Sequence, residues 1–136
     1  MTDQNLTDKN KALVRSFYEG GTDSETRSYG EIFHPEFKVS APDYLPWGGT
    51  SDLKAYLDDI LHQVTAVLDF SRCSIVSLVG ENDEIVIVID IGLISTGHII
   101  RISEHWTIRN NKAINLWVAY FEPAALMELL KKNSAI

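Results

Sequence analysis

Four strand-patterned segments crowd into residues 70–121, separated by joins too short for anything but a turn. They read FSRCSIVSLV (70–79), EIVIVIDIGLI (84–94), HIIRISEHWTIR (98–109) and AINLWVAYF (113–121). Their β-branched and aromatic residues suit a pleated surface. The joins GENDE, STG and NNKA are of hairpin length. A parallel connection would need a crossover of about a dozen residues or more, so consecutive segments are expected to be antiparallel neighbours. The second segment is apolar on both faces, which places it centrally in its sheet.

Helices dominate the rest of the chain. NKALVRSFYEGG (10–21) repeats its apolar residues at helical spacing and meets a stop at Gly20-Gly21. SETRSYGEIF (24–33) reads as a short second helix ending before Pro35, and EFKVSA (36–41) as a short strand. APDYLPWGGTS (41–51) reads as a loop, and SDLKAYLDDILHQVTAVL (51–68) as the clearest helix. In that helix Ser51 is the expected N-cap, and Lys54, Asp58, Asp59 and Gln63 are expected to face water. PAALMELLKK (123–132) closes the chain as a short helix opened by Pro123. Together these elements predict one α+β domain over residues 1–136. It has about three N-terminal helices, a short C-terminal helix, and a curved, mostly antiparallel sheet wrapped around the long helix in a cone-shaped barrel. The wedge between helix and sheet is either filled by side chains or open as a pocket.

Composition narrows the function classes. The formal charge of −7 argues against nucleic acid, whose phosphates demand a basic patch. The longest purely aliphatic run, Ile85 to Ile89, ends at Asp90, so no bilayer-spanning segment is expected. The single cysteine, Cys73, forbids an intrachain disulfide and fits a reducing compartment, and the N-terminus shows no apolar signal segment. A cytoplasmic location is expected. No Gly-rich phosphate loop, serine-nucleophile motif or cysteine pair is present, and His34, His62, His98 and His105 lack metal-ligand spacing. No metal and no cofactor are therefore expected.

The order and spacing of four stretches resemble the nuclear transport factor 2-like superfamily, and within it the SnoaL-like and ketosteroid isomerase-like proteins. They are VRSFYEGGTD (14–23), IFHPEFKVSAP (32–42), PWGGTSDLKAYL (46–57) and SEHWTIRNNKAINLWVAYFEP (103–123). The resemblance covers most of the chain. It implies that Glu104-His105-Trp106 stands where the isomerases carry an acid–His–aromatic triplet, whose acid stays protonated and donates a hydrogen bond to an oxyanion. The rest of that machinery does not carry over. Ala41 occupies the position of the family's catalytic base, and Arg15 lies nearest its catalytic tyrosine. Tyr18 stands one turn beyond, and Ala119 occupies the position of the cyclases' acid.

The candidate catalytic residues are Glu104, Asp90 and Tyr18. Glu104 shares a strand face with Ile102 and Trp106, because strand side chains alternate. It either pairs with a cross-strand cation or points into the wedge, where burial would raise its pKa. Asp90 interrupts a buried strand and needs a partner, or serves as a base. Tyr18 is a possible second donor. Phe33, Tyr44, Trp47, Ile60, Ile102, Trp106, Trp117 and Tyr120 are the expected ligand contacts, with Tyr44 and Trp47 at the pocket mouth. Trp117 and Tyr120 have opposite parity, so only one can face the wedge. The expected function is cofactor-independent proton transfer (isomerisation, cyclisation or dehydration) on an apolar, carbonyl-bearing small molecule. The alternative is a non-catalytic ligand-binding or dimerisation module. A homodimer through the outer face of the sheet is expected, with neither nucleic acid nor membrane as partner.

Overall fold

A computed structural model describes residues 2–19 and 29–134. Helix α1 (Gln4–Glu19) and the single turn α2 (Tyr29–Ile32) precede strands β1 (Phe33–Ala41) and β2 (Gly49–Asp52). Helix α3 spans residues 53–65, with a π-helical turn at Tyr56–Ile60 in its middle. Strands β3 (Leu68–Glu81), β4 (Glu84–Leu93), β5 (Ile99–Arg109) and β6 (Lys112–Phe121) follow, then helix α4 (Ala124–Ser134). The six strands form one sheet in the order β2-β1-β6-β5-β4-β3. Every pairing is antiparallel except β1 with β6.

The hairpins form as expected because their turns carry the right residues. Asn110 and Asn111, between β5 and β6, both hold positive φ (52° and 65°), as a tight two-residue hairpin requires. Asn82 does the same between β3 and β4 at 57°. Alternation then sorts the strands. Ile85, Ile87, Ile89 and Ile91 of β4 point inward and are essentially fully buried. Ile102, Trp106 and Ile108 of β5 and Leu116 of β6 join them in the core.

The structure corrects several expectations about the N-terminal half. The expected set of about three N-terminal helices is not matched: α2 is one four-residue turn, and α3 comes after two strands. The Gly20-Gly21 stop and residues 24–28 of the expected second helix lie outside the described residues. Residues 49–52, expected as loop and helix cap, instead form β2 at the sheet edge. Ser51 is therefore a strand residue, and Asp52 caps α3 by accepting from the Ala55 amide at 2.9 Å. Lys54 and Asp58 do pair on the water-facing side of α3, at 3.0 Å.

Polar contacts lock α1 to the sheet. The buried Asn10 donates from Nδ2 to the Asn82 carbonyl at 2.9 Å, and the buried Thr7 hydroxyl accepts from the Asn82 amide at 2.8 Å. This anchor at the β3–β4 turn leaves the other end of α1, with Phe17 and Tyr18, lying over the sheet's inner face. No helix among the described residues is long and apolar enough to cross a membrane.

Candidate functional site

The wedge is open. A cavity of about 620 Å³ lies between α1, α3 and the inner face of the sheet. Its walls are mainly apolar and aromatic, including Phe17, Phe33, Ile60, Ile102, Trp106 and Leu116. Phe17 bridges two of them, stacked on Phe33 at 5.7 Å between centroids and tilted against Trp106 at 4.7 Å. Both ends of the π-helical turn, Tyr56 and Ile60, line the space. Such turns recur at functional sites. Among the described residues, no lysine or arginine lines the cavity.

Glu104 is set into this wall. On β5 it stands opposite Ile87 of β4 and Val118 of β6, so no cation flanks it across either strand. The Tyr18 hydroxyl donates to Glu104 Oε1 at 2.7 Å. The Trp106 indole N–H donates to the same hydroxyl at 3.0 Å. These two bonds fix the direction of the chain: indole to phenol to carboxyl. Among the described residues no side chain takes the second carboxyl oxygen, Oε2, and Glu104 borders the cavity. Protein encloses the group on all sides except where the cavity reaches it.

The electrostatics follow from this enclosure. Desolvation pushes the Glu104 pKa up to about 7, and the Tyr18 hydrogen bond opposes the rise without cancelling it. Tyr18 is held well above its ordinary range, first by burial and then by the adjacent Glu104 charge. Near neutral pH the carboxyl group therefore exists in both forms, as a general acid–base group requires.

Most of the expected residues converge here. Glu104, Tyr18, Phe33, Trp47, Ile60, Ile102, Trp106 and Tyr120 all line the cavity. Tyr18, expected as a possible second donor, gives its hydroxyl hydrogen bond to Glu104 Oε1. Trp47 is 6% exposed, so it forms part of the wall and not an exposed lip. Its burial depends on the turn that follows: at Gly48 a Cβ would collide with the Pro42 carbonyl and lie 2.8 Å from the Asp43 Cα.

Three expected residues lie elsewhere. Asp90 is on the outer face of the sheet, where Arg101, its cross-strand neighbour, grips both carboxylate oxygens at 2.8 and 3.0 Å. This pairing lowers the Asp90 pKa, the reverse of what a neutral-pH base needs. Trp117 also faces outward, 46% exposed and stacked on His105 with ring centroids 3.6 Å apart. Parity thus resolves in favour of Tyr120. Tyr44 is 49% exposed and borders a shallow depression beside α4, away from the cavity. Sequence reasoning missed Phe17, Tyr56 and His62 as lining residues. The apolar spacing of α1 and α3 pointed to Phe17 and Tyr56. His62 lacked any signal beyond its place at the border of the α3 stripe.

No family model matches the chain, and no curated protein matches its sequence. Solved structures do match it. TerC, co-crystallised with polyporic acid, is 20% identical with a TM-score of 0.70, over 90% of this chain and 98% of that one. A protein assigned as a SnoaL-like polyketide cyclase, from Jannaschia sp. CCS1, is 11% identical with a TM-score of 0.74, over 93% and 94%. An NTF2-like protein from Burkholderia pseudomallei K96243 is 15% identical with a TM-score of 0.69, over 89% and 96%.

Proposed function

The chain has the nuclear transport factor 2-like fold, and we propose that it uses this fold as a small-molecule enzyme of the SnoaL-like kind. It moves a proton on an apolar, carbonyl-bearing ligand held in a cone-shaped pocket. The observation that carries the proposal is Glu104: a carboxyl group among apolar walls, with no cation partner among the described residues, held through Oε1 by Tyr18 and lining the cavity. A structural carboxylate would be expected to look like Asp90, clamped by arginine on a partly exposed face.

In this reading the ionised Glu104 removes a proton from the carbon next to the ligand's carbonyl. The protonated Glu104 then returns it at the same carbon or at a conjugated one. Only a proton is moved, so the proposed step calls for no cofactor. The aromatic walls favour flat, ring-bearing ligands. The co-crystallisation of the structurally similar TerC with polyporic acid supports a small-molecule ligand here.

The proposed working unit is a homodimer through the outer face of the sheet. Phe121 (64% exposed), Val79 (55%), Ile99 (54%) and Trp117 (46%) give that face its apolar surface. Light scattering should give twice the 15.3 kDa chain mass, and a mass near the monomer would refute the dimer.

The proton-transfer reading is tested by incubating a panel of β,γ-unsaturated cyclic ketones with the protein in deuterium oxide. Deuterium should enter at the carbon next to the carbonyl with the wild type and fail to enter with Glu104→Gln. Ligand binding without exchange would make the cavity a binding site and nothing more.

A further inference from the structure

The cavity wall is polar at two places far apart. One is the Trp106–Tyr18–Glu104 chain of hydrogen bonds between β5 and α1. The other lies where α3 ends and β3 begins, lined by Leu61, His62, Thr65, Leu68 and Phe70. Register sets their separation. Glu104 stands beside Ile87 of β4, and Leu68 stands beside Leu93 of the same strand. Those two positions are six residues apart on β4, roughly 20 Å of backbone at the usual strand rise. The second place is the mouth, because His62, Thr65 and Phe70 line the cavity and are also exposed to solvent.

A bulge in β3 builds the sheet side of this mouth. Residues 70–72 are inserted between the pairings of Asp69 with Gly92 and of Cys73 with Ile91. Arg72 locks the bulge by donating to Asp69 Oδ2 at 2.9 Å and to the Leu93 carbonyl at 2.6 Å. Its guanidinium fills the space that a side chain at Gly92 would need. Arg72 is thus spent on the protein. His62 is not: among the described residues no side chain engages its ring. Of the described lining residues it alone can carry a positive charge. The acids nearest to it in sequence are held elsewhere, Asp58 by Lys54 at 3.0 Å, Asp59 by Gln63 at 3.1 Å and Asp69 by Arg72. The ring also belongs to the last turn of α3, where unpaired helix carbonyls favour a cation.

Resting on the proton-transfer reading above, we propose that His62 is a specificity-determining residue that binds a carboxylate at the tail of the substrate, whose carbonyl-bearing ring lies inward at Glu104. The substrate class narrows to elongated, enolisable cyclic ketones that carry an acidic arm. The ring meets the aromatic walls, and the arm runs along the strands to the mouth. There the carboxylate keeps part of its hydration and gains the imidazole as a donor. Placed deeper, it would lose that hydration among apolar walls with no cation to replace it.

The test compares 2-tetralone bearing a carboxylate on a short alkyl arm with its methyl ester, by calorimetric titration at about pH 6 and low salt. The wild type should bind the acid roughly three- to tenfold more tightly than the ester, the range for a charged hydrogen bond that stays partly hydrated. Added salt should erase the difference. His62→Ala should bind the two alike and leave ester binding unchanged, and His62→Lys should restore the preference. Equal binding of acid and ester by the wild type would overturn the inference. So would a preference that survives in His62→Ala or disappears only in Arg72→Gln. Deuterium exchange on the same two compounds separates this inference from the reading it rests on. His62→Ala should raise KM for the acid to that of the ester at unchanged kcat. A His62-dependent preference without exchange would uphold the carboxylate site and overturn the proton-transfer reading, and exchange without the preference would do the reverse. No binding of either compound to the wild type would overturn both.

Discussion

Replacing Glu104 by glutamine should make the protein more stable above neutral pH and leave it nearly unchanged in mild acid. Glutamine keeps the shape and still accepts from Tyr18 through its amide oxygen, but it never ionises. Glu104 titrates at about 7 in the folded chain, against an ordinary value of 4.5. Between these values the folded state binds more protons than the unfolded state. Stability therefore falls as pH rises from the lower value to the higher one, and the loss is complete above it. At about 1.4 kcal/mol per pH unit the full loss is of the order of 3 kcal/mol, an upper figure because cavity water relieves part of it. For a chain of this size that is roughly 10 °C in melting temperature. Urea unfolding of both proteins at pH 5 and pH 8 measures it directly. At pH 5, where the loss has just begun, the variant should lead by less than about 1 kcal/mol, and at pH 8 by about 2–3 kcal/mol. A pH-independent difference, or a variant less stable than wild type at pH 8, would show that Glu104 is a stabilising, paired carboxylate.

Tyr18→Phe should raise the Glu104 pKa further, because the lost hydrogen bond is the one interaction opposing its rise; a shift downward in the titration would contradict this. Asp90→Asn should cost less than about 1 kcal/mol and leave proton exchange intact, since its pair with Arg101 is partly exposed and outside the cavity. A large loss of exchange would return Asp90 to the mechanism. Asn10→Ala should destabilise the fold by about 1–3 kcal/mol in urea unfolding, because the bond it removes is buried. No loss would mean that α1 is held by its apolar face alone.

The sheet was legible because its strands carry their own punctuation. Asn82 and Asn110-Asn111 announce turns, and alternation assigns Ile102, Glu104 and Trp106 to one face without knowledge of the rest. The pairing of β1 with β6 was not legible, because parallel pairing between segments some seventy residues apart leaves no local mark. Strand β2 was hidden for a different reason. Gly49 and Asp52 are poor strand formers that flank one strand-favouring residue, Thr50, and this short edge is held through its ladder to β1. The site was half visible. Glu104 stood out as an acid among isoleucines, but Asp90 looked equally anomalous. Only the β4–β5 register, which sets Arg101 beside Asp90 and Ile87 beside Glu104, separates the paired acid from the unpaired one. The Tyr18 bond depends on the docking of α1 through Thr7 and Asn10, two polar residues that helix periodicity assigns to no face.

The account depends most on the ionisation of one group. Proteins labelled with 13C at the glutamate side-chain carboxyl carbon allow that group to be followed by NMR from pH 4 to pH 9, with Glu104→Gln identifying its resonance by absence. The account predicts a single titration at about 7, in keeping with desolvation only partly offset by Tyr18. A midpoint at or below the ordinary glutamate value of 4.5 would contradict it.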